Sequence, residues 1–329
     1  MNKKWIVFLI TIIGLVVLAA CGQDNDASGQ ENTASEETEE TSKEANEEAE
    51  TRTIEYLGET YTVPSDVERI VITGAMEAME DAVVMDVEPV GAVTIAGEFP
   101  DIYADVMGNA ESIGEKQEPN FEKILELQPD VILGSSKFPE EVVGKLEQIA
   151  TTILVSHISS DWEANLHLMG ALSGKEEQAD QILADYKTDI ETANDSLTEK
   201  LSGQKVVAIR IRGGQMFIYP PDIYFNAVLY DELGLEVPGA VEKAETQEAI
   251  SVEQLAEMNP DYVFMQIQEN GSGEGNKAFE ELQENPIIQN ITAFNDDQVF
   301  VNVVDPLLEG GPVYSRILFL EQLQEKLAE

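Results

Sequence analysis

Short apolar runs alternate along the chain with stretches in which apolar side chains return every third or fourth position. In the first half, Arg69–Thr73, Val87–Thr94, Val131–Gly134 and Ile153–Ser156 are runs of the first kind; Val206–Ile211, Tyr262–Gln266 and Val299–Val303 continue the scheme in the second. Runs this short, rich in Val and Ile and bounded by polar residues, predict buried strands. Asn120–Gln128 and Glu140–Ala150 carry the helical period. Strand–helix alternation predicts parallel βα units and an α/β fold with a central sheet in each half.

One pattern occurs twice. Asn120-Phe-Glu-Lys-Ile-Leu-Glu-Leu-Gln-Pro-Asp-Val-Ile132 in the first half is echoed 131 residues later by Ser251-Val-Glu-Gln-Leu-Ala-Glu-Met-Asn-Pro-Asp-Tyr-Val263. Each reads as a capped helix, a Pro that cannot continue it, an Asp and a buried strand. The repeat predicts two lobes of related build and puts Glu122 and Glu253 at matching places. Between the lobes, Ile182, Tyr186, Ile190, Ala193 and Leu197 form a helical stripe within Lys175–Leu201, and Ser173-Gly-Lys-Glu176 reads as a capping box at its start. A helix of about 27 residues is a rod of roughly 40 Å, which should let the lobes hinge little. The expected organisation is an N-terminal α/β lobe at 51–160, a helical region at 161–201 that includes the interlobe helix, and a C-terminal α/β lobe at 202–329.

Residues 1–50 follow neither pattern. Lys3 and Lys4 precede an apolar run from Trp5 to Leu18, too short to cross a hydrocarbon core of ~30 Å comfortably. The run ends in Leu18-Ala-Ala-Cys-Gly22, small residues before the chain's single Cys. This looks like a bacterial lipoprotein signal at 1–20, with Cys21 lipidated and becoming the mature N-terminus; an uncleaved signal anchor is the alternative. Residues 21–50 read as an acidic, disordered tether, since 11 acidic residues face one Lys between Gly22 and Glu50.

Charge narrows the function. Asp and Glu number 64 against 19 Lys and Arg, a net charge of −45. A surface so negative repels phosphate, so nucleic acid is excluded as a partner. Two His and one Cys rule out a His/Cys metal cluster and a disulfide framework. Nucleophile-elbow, phosphate-loop and zinc-protease motifs are absent, and Gly271-Ser-Gly-Glu-Gly275 reads as a loop, so no residue is assigned a catalytic role. Acidic pairs carry no information at this composition. The scarce bases do: Lys116 lies in the loop entering the first echoed helix, Lys137 directly after a strand, and Arg210 and Arg212 alternate along a strand end and share a face. Ligands of open α/β sheets bind beyond the carboxyl ends of strands. Either these are ordinary surface bases, or they converge on an anionic ligand.

Several strings resemble one family: Thr73-Gly-Ala-Met-Glu-Ala-Met-Glu-Asp-Ala82, Gly114-Glu-Lys-Gln-Glu-Pro-Asn120, Ser136-Lys-Phe-Pro139, Val155-Ser-His-Ile-Ser-Ser160, Ile209-Arg-Ile-Arg-Gly213, Ile218-Tyr-Pro220, Tyr224-Phe-Asn226 and Val304-Asp-Pro306. They are similar to the lipid-anchored substrate-binding proteins of ABC importers for ferric siderophores and cobalamin. The resemblance spans nearly the whole mature chain. It implies two Rossmann-like lobes bridged by a helix, with a shallow ligand cleft between them. It further implies that Lys116, Lys137 and Arg212 contact a ferric tris-catecholate, with Gln247 as a polar contact. The iron is held by the siderophore's oxygens, so the protein itself supplies neither a metal ligand nor a cofactor. Glu122 and Glu253 match the family's two glutamates that dock on the permease. The family's third basic residue falls at Glu245, which leaves carboxylate and hydroxamate siderophores open as cargo; Lys243 is the candidate replacement. The implied partners are the ferric siderophore and an ABC permease with its ATPase. The implied state is a monomer, lipid-anchored on the extracellular face of the membrane. Haem or cobalamin as cargo, or a surface enzyme, are the rival readings.

Overall fold

The computed structural model describes residues 50–327, leaving aside 198 and 269–272. The expected leader, Cys21, the tether up to residue 49 and the first half of the Gly271–Gly275 loop lie outside the described residues. Strands β1 (Thr51–Tyr56) and β2 (Glu59–Pro64) form an antiparallel hairpin. Its turn residues Leu57 and Gly58 both have positive φ, 48° and 87°, as a tight two-residue hairpin turn requires.

The first lobe contains β3 (Ile70–Thr73), β4 (Gly91–Thr94), β5 (Glu111–Glu115), β6 (Glu118–Pro119), β7 (Val131–Ser135) and β8 (Thr151–Val155). They form one sheet in the order β6-β5-β4-β3-β7-β8, parallel except for the β5–β6 hairpin. Its helices are α1 (Met76–Val84), α2 (Phe121–Glu126) and α3 (Glu140–Leu146). Two helices then cross between the lobes, α4 (Trp162–Ser173) and α5 (Glu176–Leu197). In the second lobe, β9 (Val206–Arg212), β10 (Gln215–Ile218), β11 (Glu248–Ile250), β12 (Tyr262–Gln268) and β13 (Val299–Val301) take the order β11-β10-β9-β12-β13. Here β9, β12 and β13 are parallel, while β10 and β11 extend the edge in antiparallel fashion. The helices are α6 (Gly239–Lys243), α7 (Val252–Met258), α8 (Glu274–Glu284), α9 (Thr292–Asn295) and the terminal α10 (Val313–Leu327). The chain leaves β3 and β9 toward one side of each sheet and returns on the other. Each lobe therefore has a topological switch point, at β3/β7 and at β9/β12.

All seven expected strands are present, with shifted ends. The run Val87–Thr94 pairs only from Gly91, because the Val87 N–H closes the end of α1 on the Ala82 carbonyl at 2.9 Å and Pro89 has no N–H to offer a ladder. The interlobe helix is shorter than expected, 22 residues and roughly 33 Å. Ser173 does not cap it. Its hydroxyl donates to the Met169 carbonyl at 2.7 Å inside α4, and Gly174 terminates that helix at φ 66°. The edge strands β10 and β11 are not among the strands expected from the sequence.

The echoed segments are the same device built twice. Asn120 and Ser251 cap α2 and α7, accepting from the backbone N–H of Lys123 and Gln254. Gln128 and Asn259 end the helices with φ of 46° and 43°. Asp130 then accepts from the Arg69 N–H (2.8 Å) and Asp261 from the Lys205 N–H (2.7 Å), each tying the start of one parallel strand to its neighbour. Even the bases correspond: Arg69 donates to the Leu127 carbonyl at 2.8 Å, and Lys205 to the Met258 carbonyl at 3.0 Å. Fold demand accounts for the Pro-Asp pair and the caps. Glu122 and Glu253 are exposed in the first turn of the two helices, where the helix dipole also favours an acid.

The lobes are pinned together by α10, which packs against α1, α4 and α5. Fully buried Glu80 on α1 accepts from the backbone N–H of Glu309 (2.7 Å) and of Ser315 (3.1 Å) and from the Ser315 hydroxyl. On the far side of α10, buried Arg316 pairs with Glu232 at 2.6 Å, and Tyr186 of α5 donates to the same carboxylate.

Candidate functional site

A cleft of about 370 Å³ is lined from both lobes. The first lobe contributes Glu77 at the start of α1, Lys137 after β7, and Ser156–Ser160 after β8; the second contributes Arg210 and Arg212 of β9, Tyr219, Gln247 and Glu309. These are the loops at the two switch points, so topology alone brings the scattered bases together. Trp162, at the first turn of α4, forms part of the wall, with the Arg316 guanidinium 4.6 Å from its ring.

Four of the predicted bases meet here. Lys116 reaches the site from the β5–β6 turn through a 2.6 Å ion pair with Glu309. Lys137 Nζ lies 3.8 Å from Glu77. Arg210 is buried, donates to the Pro306 carbonyl at 3.2 Å and lies over the Tyr224 ring, whereas Arg212 is exposed at the mouth. Gln247 accepts from the Tyr219 hydroxyl at 3.3 Å. Lys243 is not brought in. It sits in the last turn of α6 and lines a separate groove with Lys205, Gln254 and Glu257. Nor does Glu245 line the cleft; its N–H donates to the Glu248 carboxylate.

Sequence reasoning missed the acids. Burial, reinforced by the charge of Glu309, pushes the Glu77 carboxyl above its ordinary value, and the lysines only partly offset this. Burial acts on Glu309 in the same direction. There, however, Lys116 in direct contact, with Arg210 and Lys137 nearby, outweighs it and holds the group below its ordinary value. Glu309 is therefore the standing anion of the ligand-free cleft. Beneath it, burial raises Glu80 and Asp81 well above the usual carboxylate range. Also missed was His157, whose Nδ1 is 2.8 Å from the Ser136 hydroxyl. Burial and then Lys137 push that imidazole down, toward its neutral form. No group of three or more His, Cys, Asp or Glu could hold a metal among the described residues.

A base-lined cleft between two α/β lobes pinned by helices defines a ligand-capture protein. The chain belongs to the periplasmic binding protein family, whose model matches residues 86–302. It is 44% identical, over the full length of both chains, to the iron-uptake system-binding protein of Bacillus subtilis. It is 26% identical to the probable siderophore-binding lipoprotein YfiY of the same organism, over 72% of this chain and 69% of that one. Among solved structures it resembles the triscatecholate siderophore binding protein FeuA of Bacillus subtilis complexed with ferri-bacillibactin. That likeness has a TM-score of 0.78 and 46% identity, covering 84% of this chain and 98% of that one.

Proposed function

We propose that this protein captures a ferric siderophore of the catecholate type and delivers it to an ABC permease for iron uptake. No bond is made or broken. The observation that carries the reading is the meeting of Lys116, Lys137, Arg210 and Arg212 around one cleft in a chain of net charge −45. Bulk repulsion does not defeat the site, because screening at physiological salt acts over ~8 Å and charges inside a cleft interact at a lower dielectric. By charge counting a ferric tris-catecholate carries about −3, and its iron is already saturated with hard oxygens. That fits a cleft rich in positive donors and poor in metal ligands. The 44% identical iron-uptake relative and the likeness to a triscatecholate-binding structure support the same cargo.

Glu122 and Glu253 are read as the docking points, one exposed carboxylate on each echoed helix, giving a two-point electrostatic register on the permease. Cys21 is read as the lipid anchor that holds the protein, as a monomer, on the extracellular face of the membrane. No helix among the described residues is long and apolar enough to cross a membrane. A carboxylate or hydroxamate siderophore is the second reading. It is favoured by Glu245 and by the placement of Lys243 outside the cleft.

Trp162 is the one tryptophan beyond the leader and lies in the cleft wall, so its fluorescence reports binding directly. Titration with ferric catecholate, hydroxamate and citrate complexes should give saturable quenching, tightest for the catecholate. Saturable binding of the hydroxamate alone would replace the first reading with the second. Absence of binding by all three would refute both.

A further inference from the structure

Two carboxylates occupy the cleft that the proposed function assigns to an anion. Glu309 lies within 2.6 Å of Lys116, and Glu77 within 3.8 Å of Lys137. Neither acid is a surface accident: both line the cleft, yet the Glu77 side chain is 8% exposed and that of Glu309 22%. Glu309 is also held from behind, since its backbone N–H donates to buried Glu80 at 2.7 Å. The chain therefore places an acid where its two most useful lysines would otherwise be free.

We propose that Glu309 is a built-in counter-ion that sets a charge threshold among anions: paired with Lys116, it yields that lysine only to an anion carrying several charges. The inference rests on the reading of the cleft as a receptor for an anionic ferric chelate. It has three physical grounds. An unpaired lysine beside the cleft would attract any small anion in the surroundings, and the internal pair lowers that background. A cargo of about −3 spreads charge over several oxygens and meets Lys116, Lys137, Arg210 and Arg212 together, so it can compete with a single carboxylate. A small anion of one charge cannot, and leaves the pair closed, while a neutral chelate makes no claim on Lys116. Glu309 is thus a specificity-determining group that acts through Lys116, with Glu77 as the weaker second member at longer range.

The test is Glu309→Gln, with Glu309→Asp as the charge-preserving partner, each titrated through Trp162 fluorescence. The probes are a ferric tris-catecholate of charge −3 and a neutral ferric tris-hydroxamate. The Lys116–Glu309 pair is part-exposed, so its coupling is that of a screened ion pair. Glu309→Gln should bind the −3 complex about fivefold tighter, bind the neutral complex as wild type does, and add small inorganic anions to its ligands. Glu309→Asp should stay near wild type. If Glu309→Gln binds the −3 complex more weakly or equally, or tightens both complexes alike, the counter-ion role is overturned while the receptor reading stands. A wild-type protein that binds no ferric chelate overturns the receptor reading, and this inference with it. Circular dichroism and the melting temperature of each variant separate these outcomes from misfolding.

Discussion

Gly74 is the residue at which fold and site can be perturbed together. It follows β3 at the switch point with φ +69°, a conformation that costs an L-residue roughly 1–2 kcal/mol. A methyl group added there would lie 2.3 Å from Phe138 Cζ and 2.9 Å from the Lys116 carbonyl oxygen. Phe138 follows Lys137, and its ring is the far end of a partly buried side chain, so it can yield. The Lys116 carbonyl belongs to the β5–β6 turn and cannot move without carrying the lysine with it. Overpacking of this kind costs a further 1–3 kcal/mol or so. Gly74→Ala should therefore lose about 2–5 kcal/mol of stability, roughly 4–20 °C in melting temperature. It should also weaken ferric catecholate binding, because both lysine-bearing loops shift. The assays are thermal melting by circular dichroism and the Trp162 titration. A variant within 1 °C of wild type and of unchanged affinity would refute the claim that these loops close on the switch point without slack.

The remaining predictions concern charge. Lys116→Glu places two acids together at the cleft and should weaken binding of a tris-catecholate about 30- to 300-fold, with the melting temperature little changed; unchanged affinity in the same titration would remove Lys116 from the site. Glu122→Ala and Glu253→Ala should each leave siderophore affinity intact yet reduce uptake or the stimulated ATPase activity of the reconstituted importer, and loss of affinity instead would contradict their exposed positions on α2 and α7. Stability should rise as pH falls from 8 toward 5. Burial raises Glu77, Glu80 and Asp81 in the folded protein, so the fold binds more protons than the unfolded chain between the ordinary carboxylate range and the raised values. Glu309, lowered by Lys116, opposes this only at the acid end, where its own protonation costs stability. Melting temperatures measured across that range in wild type and Glu80→Gln would check it: the variant should lose part of the slope, and a wild-type protein that melts lower at pH 5.5 than at pH 8 would refute the assignment.

What the sequence made legible follows from contrast. Buried parallel strands read as continuous apolar runs, so Val131–Ser135 and Val206–Arg212 stood out against a polar chain. Bases stood out because they are rare, and four of them do meet. Acids could not stand out among 64. On α1, Glu77, Glu80, Asp81 and Val84 fall at helical spacing, and the three acids resemble the solvent face of an ordinary amphipathic helix. That face is buried because α10, more than 200 residues later, lies across it, and no local pattern encodes such a contact. The edge strands β10 and β11 were hidden for a related reason. Their partner is an antiparallel neighbour rather than a βα repeat, so the alternation that revealed the other strands gave no sign of them.

The same long-range contact determines how the cleft works. Glu80 joins α1 of the first lobe to the start of α10, and through the Glu309 N–H to the residue that holds Lys116. Its hydrogen bonds are buried, so none of them can be exchanged for water without loss. Arg52, at the N-terminal hairpin, donates to the Ala171 carbonyl at the end of α4, and Lys175 donates to the Met85 carbonyl at the end of α1. Opening the lobes widely by moving α10 off α1 would break the Glu80 bonds to Glu309 and Ser315 and leave that group unpaired, a cost of several kcal/mol. A receptor built this way meets its cargo with a cleft already formed, and the response to binding is concentrated in side chains at the mouth. For a rigid, highly charged chelate that is a workable arrangement, because shape is set in advance and only the charge pairing has to change. On the proposed reading, displacement of Glu309 from Lys116 would occur at the residue whose own N–H bonds Glu80, the contact that joins α1 to the start of α10.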